Sequence, residues 1–414
     1  MLPGRQAYWG SLELHSYPDA PAVVRALSPD EPVILNRPHA AARAARFFSE
    51  KFPGKSLYAV KANPSPDLLK VLWASGITHY DVASISEVRL VRETLPEAVL
   101  CFMHPVKPAG AIAEAYRDHG VRTFSLDSHE ELEKIVKATA SEDGTPASDL
   151  RLCVRLRVSS DYSELSLASK FGVDLVDAAA LLQATRQVAD WLGVCFHVGS
   201  QAMTPFAYVQ AMERVRAAIV DASVTVDIVD VGGGFPSIYP GMEPPPLEDY
   251  FGVIHRAFES LPVSYSSELW CEPGRALCAE YNSMIVRVEK RRGEELYIND
   301  GAYGALYDAA HVGWRFPVKC LAEGRVDALG TYSFYGPTCD DADYMEGPFL
   351  LPADIQPGDY IEVGMLGAYG AAMKTRFNGF GTGSVVTVDD EPMHSQYRGD
   401  RRDPRQSDNV VSLR

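Results

Sequence analysis

The sequence predicts an α/β chain: a (β/α)8 barrel with a second, mostly β domain. Three observations carry that prediction. Eight apolar, strand-like runs alternate with helical periodicity between residues 57 and 271. After Arg275 the texture changes to β-forming runs parted by Gly, Pro and Asp turns. The polar residues with chemistry to offer fall at the ends of many different strand runs, a habit of barrels more than of doubly wound open sheets.

Taken in order, residues 1–30 are mixed in character, 32–36 read as a short strand and 39–51 as a helix. Strand runs follow at 57–61, 79–83, 98–103, 122–126, 151–158, 193–198, 226–231 and 267–271. Helical periodicity fills most of the gaps, at 67–75, 86–94, 128–138, 177–192, 205–220 and 247–261. Beyond 275, the runs 281–291, 295–300, 328–335, 360–363 and 383–388 read as strands of the second domain, which 32–36 is expected to join. Residues 390–414 are polar and charged and read as a disordered tail. The expected division is therefore 1–36 as an N-terminal segment contributing to the β domain, 37–275 as the barrel, 276–389 as the β domain and 390–414 as the tail.

A chain of 414 residues is too long for one compact core, and 46% hydrophobic with 23% charged residues is globular composition. A net charge of −16 argues against nucleic acid and anionic membrane surfaces as partners. No apolar run approaches the roughly 20 residues that span a bilayer. Residues 1–18 lack the basic-then-apolar order of a signal peptide. Seven scattered cysteines without a Cys-x-x-Cys pair imply reduced thiols, a cytoplasmic setting and no structural metal.

The residues with chemistry begin at Leu57-Tyr58-Ala59-Val60-Lys61, an apolar run ending on a lysine and stopped by Asn63-Pro64-Ser65-Pro66. A lysine at a barrel mouth can shed its proton when desolvated and condense with an aldehyde, although an ordinary solvated strand-end lysine has the same address. Gly232, Gly233 and Gly234 follow the seventh run; there backbone N–H groups can approach a phosphate, or the glycines can simply make a tight turn. Glu272-Pro273-Gly274-Arg275 follows the eighth run, where barrels commonly bind phosphate. Arg275 can clamp a phosphate and Glu272 can keep a ring nitrogen protonated; a surface salt bridge is the plainer reading. His197 ends the sixth run and Arg157 lies near the end of the fifth. Four ionisable groups at four strand ends outline one polar mouth.

Together, Tyr58-Ala59-Val60-Lys61, His197-Val198-Gly199-Ser200, Asp230-Val231-Gly232-Gly233-Gly234-Phe235-Pro236 and Glu272-Pro273-Gly274-Arg275 resemble the barrel-type pyridoxal-phosphate amino acid decarboxylases. Asn299-Asp300-Gly301-Ala302-Tyr303-Gly304 with Tyr307-Asp308, and Gly336-Pro337-Thr338-Cys339-Asp340, resemble the ornithine decarboxylase branch. The resemblance implies a pyridoxal 5'-phosphate cofactor with Lys61 as its Schiff-base lysine, Glu272 at the pyridine nitrogen and His197 on the ring. It implies Ser200, Gly233, Gly234, Arg275 and Tyr369 around the phosphate, with Asp81 and Arg157 behind them. It implies a diamino acid substrate whose distal ammonium meets Asp308 and Asp340, in a pocket with Tyr307 and Phe377. It further implies a homodimer with shared active sites, to which the partner brings Cys339, the proton donor after carbon dioxide leaves, together with Asp340 and Phe377. The polar stretch 159–170 matches a mobile loop of the family. The leading expectation is L-ornithine decarboxylation to putrescine for polyamine biosynthesis. The alternatives are a lysine/ornithine decarboxylase also making cadaverine, a diaminopimelate decarboxylase, and a catalytically inactive regulatory paralogue. Departures from the family pattern at Ala305 and Leu306 and over 341–354 fall where pocket depth is set.

Overall fold

The computed structural model describes residues 16–159, 161–166 and 169–397. The chain forms two compact units. One comprises Ala45–Pro236 and Pro244–Ala276; the other takes the described residues up to Ala44, Ser237–Glu243 and those from Leu277 onward.

The first unit is a closed barrel of eight parallel strands with helices between them. Around the barrel the strands are Lys55–Ala59, His79–Val82, Val99–Phe102, Thr123–Leu126, Arg151–Arg155, Trp191–Cys195, Ile228–Asp230 and Glu268–Cys271, the last pairing back onto the first. Parallel neighbours need crossover connections, and each gap supplies one. Helix starts are written locally. Ser84 accepts from the Glu87 N–H and Ser128 from the Glu131 N–H, both at 3.2 Å, which satisfies N–H groups the helix cannot. The barrel interior packs Leu57, Cys101, Cys153, Cys195, Ile228 and Trp270 with Met103. Phe48, Phe52, Phe235 and Phe251 pack edge to face, tying the helix Leu247–Glu259 to the loop after Ile228–Asp230.

The strands are shorter than the apolar runs. Lys61 lies beyond its strand, in the single 3-10 turn Val60–Ala62, and His197 lies two residues past Trp191–Cys195. That strand also begins earlier than expected, because the preceding helix stops at Arg186.

The second unit holds a nine-stranded sheet. Val33–Asn36 pairs antiparallel with Asn282–Arg292 and parallel with Ser384–Val388, so the N-terminal segment does supply a strand. Leu35, Ile285, Val386 and Val388 fill the core beneath it with Ala20 and Val23. The strand Tyr344–Pro352 was not expected. Its Gly347-Pro348 pair reads as a break, and a proline is tolerated here because the strand lies at the end of the sheet order.

Residues 390–397, expected as tail, are packed. Arg37 and Arg43 are buried and require anionic partners. Arg37 donates to Asp390 at 2.9 Å and Arg43 to Glu391 at 2.8 Å. Further on, the Gln396 N–H donates to Glu280 at 3.0 Å, and Tyr397 is buried. The remainder of the expected tail, 398–414, lies outside the described residues. Among the described residues no helix is long and apolar enough to cross a membrane, and no group of His, Cys, Asp and Glu could hold a metal ion.

Candidate active site

Parallel pairing sets the first contact of the barrel mouth. Ala59 stands opposite Asp81, so a lysine two residues beyond Ala59 can fold back over the neighbouring strand end. Lys61 Nζ lies 2.8 Å from Asp81 Oδ2. Asp81 is buried while the lysine side chain is 41% exposed, so the amine is tethered yet reachable. The turn beneath it is pinned by Tyr58, whose hydroxyl donates to the Asn63 carbonyl at 3.0 Å.

Across the mouth, Asp230 ends one strand and Glu272 follows its neighbour; the Glu272 N–H donates to the Gly232 carbonyl and the Gly232 N–H to Asp230 Oδ1, both at 2.8 Å. Burial raises both acids, Asp230 to about 6 and Glu272 well above the carboxylate range. The Asp230 and Asp81 charges add to the rise at Glu272, while Lys61 and Arg155 oppose it. His197 is depressed well below the usual imidazole range, chiefly by burial and then by Arg155 and Lys61. Its Nδ1 accepts from the Gly199 N–H at 3.1 Å, as a neutral ring can.

Arg155, the last residue of its strand, carries the arginine charge that bears on His197 and Glu272, a residue the sequence reasoning did not single out. Arg157 pairs with Asp174 at 3.2 Å, with 41% of its side chain exposed. Asp230 is the other residue the sequence reasoning passed over. Its signal was an acid inside an apolar run. Glu87, beside Lys61 in the same mouth, accepts from the Ala83 N–H at 2.6 Å and completes a helix start.

Buried Arg275 points its guanidinium at Ser200 Oγ, 3.4 Å away. The glycines between them are required. A Cβ at Gly233 would meet the Glu272 carbonyl and His197 Nε2 at 2.8 Å, and Gly234 has φ +104°. A tethered amine, a buried carboxyl pair, a neutral imidazole and an arginine beside a glycine cradle fit a phosphorylated pyridine aldehyde.

A second group lies in the sheet unit. Tyr303 is at its centre. Its hydroxyl donates to Asp340, its ring packs on Phe377 with centroids 4.8 Å apart, and its carbonyl accepts from the Thr375 N–H at 2.9 Å. The Tyr303 hydrogen bond holds the Asp340 carboxyl below its ordinary range. Exposed Cys339 lies 3.3 Å from Asn378 Oδ1. A shallow cleft is lined by Asp300, Tyr303, Thr338, Asp343, Phe377 and Phe380 among others. Thus Cys339, Asp340 and Phe377 come together around Tyr303, which the sequence reasoning quoted only as part of a motif. Tyr307 and Asp308 stand on the separate short helix Tyr307–His311, where Tyr307 stacks on His311 at 4.3 Å. Tyr369 adopts φ +65° and its carbonyl accepts from the Met373 N–H at 3.0 Å. The stretch 159–170 contributes the strand Ser163–Leu165, paired with Ser200–Ala202; residues 160, 167 and 168 lie outside the described set.

Comparison with known proteins agrees with this chemistry. Residues 39–279 match the pyridoxal binding domain of the pyridoxal-dependent decarboxylases, and residues 208–367 match their C-terminal sheet domain. A lysine/ornithine decarboxylase from Selenomonas ruminantium is 30% identical over 82% of this chain and 84% of its own. Antizyme inhibitor 2 of Xenopus laevis is 30% identical over 79% of this chain and 74% of its own. Ornithine decarboxylase of Mus musculus is 30% identical over 81% of this chain and 76% of its own. Among solved structures, the Paramecium bursaria Chlorella virus arginine decarboxylase bound to agmatine superposes with a TM-score of 0.79 at 26% identity, over 88% of this chain and 98% of the other.

Proposed function

The chain belongs to the pyridoxal-dependent decarboxylases, and we propose that within this family it converts L-ornithine to putrescine and carbon dioxide for polyamine biosynthesis. The observation that carries the choice of substrate is Asp340. The Tyr303 hydroxyl donates to it and holds its carboxyl below the ordinary range, next to Cys339 in the chain and beside the Phe377 ring that packs on Tyr303. A carboxylate presented in this way pairs with a distal ammonium and disfavours a distal carboxylate.

The cofactor, when bound, supplies an electron sink for the pair left at the α-carbon after decarboxylation. Lys61 provides the amine that anchors it, and Asp81 holds that amine in place. Glu272, backed by Asp230, would pair with the ring nitrogen and keep it protonated, and His197 would supply a neutral face for the ring. Ser200, Gly233, Gly234, Arg275 and Tyr369 bind the phosphate. Cys339 returns a proton to the α-carbon, and Asp308 and Asp340 hold the far amine, with Tyr307 and Phe377 walling the pocket. In this reading two copies of the chain share their active sites, each lending Cys339, Asp340 and Phe377 to the other. The seven free thiols support a cytoplasmic setting.

Lysine is the second reading, favoured by the Selenomonas relative. One methylene changes transfer free energy by about 0.8 kcal/mol, so a pocket of this kind discriminates weakly by length. A diaminopimelate decarboxylase would have to place a distal carboxylate against ionised Asp340. An inactive regulatory paralogue has no need of both Lys61 and Cys339, which this chain retains. The test is amine formation from L-ornithine, L-lysine, L-arginine and meso-diaminopimelate by the cofactor-loaded protein. Putrescine as the fastest product supports the proposal; a faster reaction with any of the other three, or no amine from any, overturns it.

A further inference from the structure

The thiol of Cys339 is held by a residue that the reading above does not use. Asn378 lies at φ +53°, ψ +15° in the single turn Phe377–Gly379. Asparagine enters this left-handed region more readily than most side chains. The turn is braced: Phe377 packs on the Tyr303 ring, and the Thr375 hydroxyl donates to the Tyr303 carbonyl at 3.0 Å. From there Asn378 Oδ1 accepts from the Cys339 N–H at 3.4 Å and meets Cys339 Sγ at 3.3 Å. The backbone N–H can only donate, which fixes the amide with its oxygen toward Cys339. An oxygen acceptor beside sulfur is satisfied by S–H and repels a thiolate.

We infer that Asn378 is the positioning residue for the proton donor: its amide oxygen holds the Cys339 S–H in one rotamer, so that the proton is delivered to the α-carbon and not to the cofactor. The inference rests on the proton-donor role proposed for Cys339. The balance of the step is simple. Departure of carbon dioxide leaves an electron pair. The S–H bond breaks, a C–H bond forms at the α-carbon, the amine is released, and the thiolate recovers a proton from water. Were the proton placed on the bound cofactor instead, addition of water would give one aminoaldehyde and one aminated cofactor per event. Each such event removes a cofactor from service.

The experiment measures carbon dioxide, amine and aminated cofactor from the holoenzyme with L-ornithine, or with L-lysine if the substrate panel selects it. Asn378→Gly retains the backbone conformation and removes only the amide. It is expected to raise the ratio of aminated cofactor to amine about tenfold while carbon dioxide release stays within about threefold. Asn378→Asp retains both the turn and the acceptor, so it should keep the wild-type ratio near neutral pH. Its charge opposes the thiolate, so it should carry the alkaline limb of the pH–rate profile to higher pH. Cys339→Ala is the reference and should raise the ratio most. A wild-type ratio in Asn378→Gly, alongside a raised ratio in Cys339→Ala, overturns the role of Asn378 alone. A wild-type ratio in Cys339→Ala overturns the proton-donor reading itself.

Discussion

At Asp230 and Glu272 two carboxyls are buried where one negative charge is tolerated far better than two. An acid whose folded pKa is raised stabilises the fold fully only below its unfolded pKa, and that advantage is lost as pH rises through the folded value. For Asp230 the window runs from about 4 to about 6. Asn keeps the acceptor for the Gly232 N–H and discards the charge. After cofactor removal, Asp230→Asn should therefore be more stable than wild type at pH 8, by on the order of 2 kcal/mol, with the difference gone at pH 4. Urea unfolding at the two pH values checks this. The arginines separate in the same way. Arg155→Ala should lower kcat/KM by about 30- to 100-fold, whereas Arg157→Ala, which breaks a half-exposed pair with Asp174, should change it less than about threefold. Steady-state kinetics with the preferred amino acid separates the two. Lys61, His197, Glu272 and Arg275 were legible because strand-end placement is visible in one sequence. Arg155 was not, because residues 155 and 157 share a strand face and periodicity gives the face without saying where the strand stops.

At the scale of elements, the barrel was legible because each β/α unit is written locally: an apolar run, a turn, a capped helix. Ser128 shows the device in full. Ser128→Ala should lower stability by about 1 kcal/mol, read as a shift of the urea midpoint, while KM is unchanged because only the helix start is touched. Elements were misread where local pattern and tertiary setting conflict. Tyr344–Pro352 carries a proline that only an end strand accepts. Lys61 belongs to a 3-10 turn whose hydrogen bonds, such as Tyr58 to Asn63, follow from packing and not from periodicity. The Tyr303, Cys339 and Asn378 cluster joins three stretches of chain separated by tens of residues. Its motifs were visible, its hydrogen bonds were not.

At the scale of the molecule, residues 390–397 looked like tail because their composition is polar. Asp390 and Glu391 are instead the partners of Arg37 and Arg43, about 350 residues earlier in the chain, a pairing no local signal announces. The division into a barrel unit and a sheet unit has a functional counterpart in the proposal that each active site takes Lys61 from one copy of the chain and Cys339 from another. The decisive measurement mixes Lys61→Ala and Cys339→Ala subunits, each forming almost no putrescine by itself, under conditions in which mixed dimers are shown to form. Random pairing makes half the dimers mixed, each with one intact site, so the account predicts recovery of about a quarter of wild-type specific activity with putrescine as product. Mixed dimers that form and remain as inactive as their parents would contradict it.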